Sequence, residues 1–176
     1  MSDSFDVGDT QIRPVSIVRM RIEPAQPSDV PAIRDLIQEL ADFERLSDQV
    51  VATHERLRAT LFGPKPSAEV LMARLGDETV GFALFFHNYS TFRAQPGLYL
   101  EDLYVRPAHR GKGYGEELLR ELARLAVQRE CGRFEWSVLD WNQRAIDFYK
   151  ALGAEPLNEW TMFRVSGDNL TKLAQR

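Results

Sequence analysis

The chain has 176 residues, enough for one domain with a sizeable core. Its 44% hydrophobic and 27% charged residues are those of an ordinary globular protein, and no run of about 18 apolar residues offers a membrane span. A formal net charge of -4 argues against nucleic acid as the main partner, because a duplex requires a concentrated basic face; it is compatible with a small cationic substrate, and equally with an acidic surface that only keeps the protein soluble.

Residues 1–17 carry Asp3, Asp6 and Asp9 and lack the basic start and apolar stretch of a secretory signal. They are expected to form a disordered extension, with the domain over 18–176. Arg21-Ile22-Glu23-Pro24-Ala25 directly follows Met20 and reads as a domain start, so Met20 is a candidate true start. Cys131 stands alone and cannot close an internal disulfide. A reducing, cytoplasmic setting is the expectation.

Residues 18–25 alternate as a first strand. Ser28 is the expected N-cap, and Pro31 suits a first helical turn. Val30, Ile33, Leu36, Ile37, Leu40 and Phe43 recur at helical spacing, which predicts an amphipathic helix over 29–44. A shorter helix is expected over 53–62, capped by Thr53 and ended by Gly63-Pro64-Lys65-Pro66. Two β-rich runs, 69–75 and 79–88, flank Gly76-Asp77-Glu78 as a hairpin. A polar and aromatic connector from Tyr89 to Gly97 leads to a strand over 98–106. A helix over 114–129, a strand over 134–140 and a helix over 142–152 closed by Gly153 follow. A late strand over 160–166 and a terminal helix near 168–175 end the chain. This order predicts an α/β fold with a mixed sheet and helices on both faces.

The strand over 98–106 breaks its own period. Leu98 and Leu100 share one parity, Leu103 and Val105 the other. A β-bulge at Glu101-Asp102 explains the switch; burial on both faces is the other reading. Arg110-Gly111-Lys112-Gly113-Tyr114-Gly115 comes next, immediately before an amphipathic helix. Glycines let backbone N–H groups approach a ligand, the helix start adds partial positive charge, and Arg110 and Lys112 add full charges. Together they make an anion site suited to a pyrophosphate. The P-loop string is absent, and the glycines fall as G-x-G-x-G rather than G-x-G-x-x-G.

This segment resembles motif A of the GNAT acetyltransferase superfamily, [Q/R]-x-x-G-x-[G/A], met by Arg110, Gly113 and Gly115. The resemblance extends from about residue 20 to the spermidine/spermine (diamine) and thialysine acetyltransferases. It is carried by residues 37–44, by Leu98-Tyr99-Leu100-Glu101-Asp102-Leu103-Tyr104-Val105, and by Trp141-Asn142 with Asp147-Phe148-Tyr149-Lys150-Ala151-Leu152-Gly153-Ala154. It implies a mostly antiparallel sheet with a V-shaped opening between two parallel strands, and acetyl-CoA as co-substrate. Leu103, Tyr104 and Val105 would line the pantetheine arm, Arg110 and Gly111 to Glu116 the pyrophosphate, and Asn142 the reactive end.

The resemblance makes Tyr149 the general acid that protonates the departing thiolate, and Glu101 the base that takes the ammonium proton, directly or through water. The other readings are a core aromatic and a solvent-facing carboxylate. A Leu103 N–H would polarise the thioester carbonyl. Phe43, Glu44, Trp136 and Glu159 are the candidate substrate contacts, and Asp102 adds charge. A short Gly76-Asp77-Glu78 connector, Glu135-Trp136-Ser137 and Glu116 depart from the relatives, so a polyamine, thialysine or lysine-like amine fits equally. Other readings are a protein-lysine or N-terminal acetyltransferase and a non-catalytic CoA-binding module. His54, His87, His109 and Cys131 lack metal-ligand spacing, so no metal is expected. A homodimer is expected, with no membrane or nucleic-acid partner.

Overall fold

Five strands form one sheet in the order β1-β2-β3-β4-β5: Met20–Pro24, Glu69–Leu75, Glu78–Ser90, Gln95–Val105 and Phe134–Trp136. Neighbours run antiparallel except β4 and β5, which are parallel. This is the mixed sheet that the element order predicts. The computed structural model describes residues 19–175; the extension expected over 1–17 lies outside them. The chain divides into two units, one ending at Ser137 and the other beginning at Val138.

In the first unit, α1 (Val30–Glu44) and α2 (His54–Phe62) cover one sheet face. Val30, Ile33 and Leu36 from α1 and Leu57 and Leu61 from α2 pack on Val70, Met72, Phe82 and Tyr104. Fully burying side chains of this size contributes about 1.5–3 kcal/mol each. The helix α3 (Tyr114–Gln128) covers the other face with Leu118, Leu119, Leu122 and Ala126. In α1 and α3 the buried residues form an apolar stripe at 3.6-residue spacing, and for α1 this is the periodicity that predicts the helix.

Several ends differ from expectation. Ser28 does not cap α1: Pro27–Asp29 folds as a short 3-10 turn, and Asp29 precedes the helix, its carboxylate accepting from the Gln26 N–H at 2.8 Å. Thr53 does cap α2, its Oγ1 accepting from the Arg56 N–H at 3.2 Å. The connector expected over 89–97 is mostly strand, because β3 and β4 stay paired out to Ser90 and Gln95, leaving only 91–94 as the turn. The strand expected over 134–140 holds only Phe134–Trp136, since its partner β4 changes course just beyond Leu100.

In the second unit α4 (Gln143–Ala151) and α5 (Asp168–Ala174) form as expected, with Gly153 at φ 88° after α4. The late strand over 160–166 does not form. A strand requires a ladder partner, and these residues have none among the described residues; Trp160, Met162 and Phe163 stay exposed.

A polar network ties the first unit at the β1 edge. Arg74 on β2 donates to Glu23 at 2.6 Å, to Asp29 at 2.6 Å and to the Thr79 hydroxyl at 2.7 Å. Arg106, just past β4, pairs with Glu39 of α1 at 2.9 Å and donates to the Thr79 carbonyl at 2.8 Å. The end of β4 is thereby fixed to α1.

Candidate active site

The β3–β4 ladder slips by one residue at the position read from the sequence. Phe85 pairs with Leu100 and Leu84 with Asp102, so Glu101 has no partner across the ladder. Before the slip Leu98 and Leu100 share the α3 face; after it Leu103 and Val105 do. Asp102 and Tyr104 turn to the α1 face, opposite Leu84 and Phe82. The bulge therefore delivers a carboxylate to the α1 face and leaves Glu101 exposed at the bend.

Beyond the bulge β4 loses its other neighbour. Pairing with β5 stops at Leu100 and Trp136, while β4 continues to Val105. Among the described residues no strand follows Glu101–Val105 on that edge. Unsatisfied backbone groups along such an edge suit an extended ligand that pairs like a strand. The Val105 carbonyl already accepts from the Arg110 Nε at 2.8 Å.

The loop after β4 begins with a 3-10 turn, Pro107–His109, and reaches α3 through Gly111 at φ 75° and Gly113 at φ 85°. Both glycines hold left-handed conformations that side chains disfavour. A Cβ at either would meet open space, so conformation rather than crowding selects glycine here. The first intrahelical bond of α3 runs from the Glu117 N–H to the Gly113 carbonyl. The N–H groups of the preceding turn thus point out of the helix start, where an anion is favoured. Glu116 does not oppose this directly: its carboxylate turns along the helix to Arg120 at 2.6 Å. Lys112 is exposed on the loop. This arrangement fits a pyrophosphate. Arg110, in contrast, turns its side chain back toward β4 and α1.

An acidic group forms on the α1 side. Glu44 is the last residue of α1, which ends there because Arg45 takes a left-handed φ of 62° and its N–H bonds back to the Asp42 carbonyl. Burial pushes the Glu44 carboxyl up. Asp102 is pushed up to about 6, first by burial and then by the neighbouring Glu101 and Glu44 carboxylates. Three carboxylates with two destabilised in their charged forms make a site for a cation, and a group that exchanges a proton near neutrality. Asp102 is the residue that sequence reading undervalued. The bulge was the available signal, because it inverts which of two adjacent acids is buried.

The other candidates lie elsewhere. Trp136 pairs with Leu100 and shares the α3 face, opposite the acidic group. Tyr99 occupies the α1 face, its hydroxyl 2.8 Å from that of Ser137 and its ring 5.1 Å from Phe86. In the second unit Asn142 caps α4, its Oδ1 accepting from the Ala145 N–H at 3.3 Å. Tyr149 follows two turns later, half-buried beside Phe148 at 5.4 Å. Glu159 is exposed in an irregular segment.

The family model described as Acetyltransferase (GNAT) family matches residues 32–154. The chain belongs to the GNAT family. It is accordingly an N-acetyltransferase, of a family whose co-substrate is acetyl-CoA. The GNAT chain is 41% identical over 164 residues to the thialysine N-epsilon-acetyltransferase of Bos taurus, covering 87% of this chain and 96% of that one. It is 36% identical over 195 residues to the L-ornithine N5-acetyltransferase NATA1 of Arabidopsis thaliana, covering 85% and 86%. Among solved structures, an integron cassette protein from the mobile metagenome of V. cholerae superposes with a TM-score of 0.77 at 27% identity, covering 89% and 98%.

Two outcomes follow from this geometry. Gly113→Ala places a β-carbon on a left-handed residue at a cost of about 1–2 kcal/mol, so the KM for acetyl-CoA should rise roughly five- to thirtyfold while the amine KM holds. The second concerns Asp102. Its raised value means the folded chain holds the proton more tightly than the unfolded chain, so the stability it contributes is present at low pH and lost as pH rises through about 6. Asp102→Asn should therefore stabilise the fold at pH 7.5 by up to roughly 3 kcal/mol, seen as a higher melting temperature. The gain should vanish below pH of about 4. A gain that is the same at both pH values would remove the ionisation argument.

Proposed function

We propose that this N-acetyltransferase moves an acetyl group from acetyl-CoA to the primary amine of a small cationic molecule by direct attack in a ternary complex. The acidic group at the bulge is the observation that carries the reading. Glu101 and Asp102 lie on the strand that leads into the anion loop, and Glu44 at the end of α1 is near enough to act on Asp102, so an amine's charge would be neutralised where the acyl donor would end. Acetyl-CoA supplies the activated carbonyl and a thiol leaving group.

The chain's residues do the remainder. Phe43 and Glu44 face the incoming amine, and Glu101 accepts its proton directly or through water. Asp102, titrating near neutrality, holds the ammonium close and relays that proton. The Leu103 N–H polarises the carbonyl. Tyr149 supplies a proton to the departing sulfur, and Asn142 holds the reactive end of the donor. Leu103 and Val105 pair with the pantetheine arm, and Lys112, Gly113, Tyr114, Gly115 and Glu116 hold the pyrophosphate with their backbone. The names of the relatives support side-chain amines such as those of thialysine and ornithine as acceptors; a polyamine is the neighbouring possibility.

Thiol release from acetyl-CoA should appear with a panel of thialysine, lysine, ornithine, spermidine and spermine. Tyr149→Phe should lower kcat by roughly a hundredfold or more. Absence of release with every amine would defeat the reading; turnover only with peptides would move it to protein-lysine or N-terminal acetylation. An unchanged Tyr149→Phe would remove the acid role alone.

We also propose a homodimer. Trp160, Met162, Phe163 and Val165 form an exposed, strand-prone apolar run that a second copy would cover. Light scattering should give twice the chain mass; a monomer at micromolar concentration would end the proposal.

A further inference from the structure

Arg110 is the motif residue whose side chain departs furthest from expectation. It follows the 3-10 turn and precedes Gly111, yet its side chain points back. Nε donates to the Val105 carbonyl at 2.8 Å. The guanidinium carbon lies 4.7 Å from the centre of the Phe43 ring and 5.2 Å from that of Tyr104. The Tyr104 hydroxyl interacts with both Arg110 and Glu39, and Arg106 grips Glu39 at 2.9 Å. A planar cation is attracted to ring faces, and its in-plane donors remain usable while it stacks. Here those donors serve β4 and Tyr104, and the faces serve two rings.

Phe43 is in the last turn of α1, next to Glu44. Val105 ends the free stretch of β4. Arg110 therefore touches the two elements that bound the acceptor side, while its own backbone is the first residue of the donor loop.

We propose that Arg110 is a positioning residue that couples the donor loop to the acceptor wall, and not a side-chain ligand of the pyrophosphate. Anything that fixes the loop fixes the guanidinium, and the guanidinium fixes Phe43 and the end of α1 that carries Glu44. The phosphates fall to Lys112 and the N–H groups at the start of α3. The inference rests on the acetyl-CoA reading of that loop. It requires that loss of Arg110 weaken both substrates, whereas a phosphate ligand would be felt only by a donor that has phosphates.

S-acetylpantetheine, which lacks the pyrophosphate, separates the two roles. With Arg110→Met, kcat/KM should fall roughly tenfold to a hundredfold, by a similar factor for acetyl-CoA and for S-acetylpantetheine, and the amine KM should rise. Arg110→Lys keeps the charge but not the planar fork, and should recover only part of the loss with either donor. A loss confined to acetyl-CoA, fully recovered by Arg110→Lys, overturns the proposal. Should Arg110→Met fail to fold, Phe43→Leu carries the test. Calorimetry with CoA should then show a severalfold weaker affinity, although Phe43 sits on the acceptor side. An unchanged affinity overturns the coupling. The wild-type titration separates the two claims: a chain that binds no CoA defeats the donor reading, and one that binds CoA without regard to Phe43 defeats the coupling alone.

Discussion

Glu101 has no partner across the β3–β4 ladder, and the site is arranged around that one extra residue. A regular strand would keep Leu98, Leu100, Asp102 and Tyr104 on one face. The bulge moves Asp102 and Tyr104 to the α1 face and bends β4 where its pairing with β5 ends. One insertion thus opens an edge for a strand-like ligand and brings acid to the neighbouring face. The Arg106–Glu39 pair then holds the end of the bent strand against α1, and Arg74 ties β1, β2 and β3 to the turn before that helix.

The electrostatics follow from that placement. Burial disfavours charge on Asp102, and two neighbouring carboxylates disfavour it further. Such a cluster is unfavourable by itself at neutral pH. A cation placed among the three would relieve it. The start of α3 carries the opposite sign: its first amides and an exposed Lys112 favour an anion. The two charge fields lie on either side of a short stretch of chain, from Glu101 to Lys112.

Much of this was legible because local rules carried it. The parity change between Leu100 and Leu103 located the bulge, the glycine spacing located the loop, and Thr53 located a helix start. What was not legible depends on tertiary context. The turn of Asp102 inward depends on which face α1 covers. The direction of Arg110 depends on Phe43, 67 residues away in the chain, and motif reading assigned its charge to the phosphates. The resemblance makes Trp136 a substrate contact, whereas its pairing with Leu100 sets it on the α3 face. The apolar run over 160–166 has the composition of a strand, but a strand exists only with a partner.

The slip in the ladder also limits how the chain can change length. At the β3–β4 turn, residues 91–94, an added or lost residue alters only a surface connection. Between Leu100 and Asp102 a lost residue alters the site itself. Removing Glu101 would restore regular pairing with Asp102 still opposite Leu84 and Tyr104 still opposite Phe82, so the core would stand, but the bend and the acid exposed at it would be gone. Descendants of this chain are free to vary which acid stands at the bend. They are far less free to vary how many residues stand there.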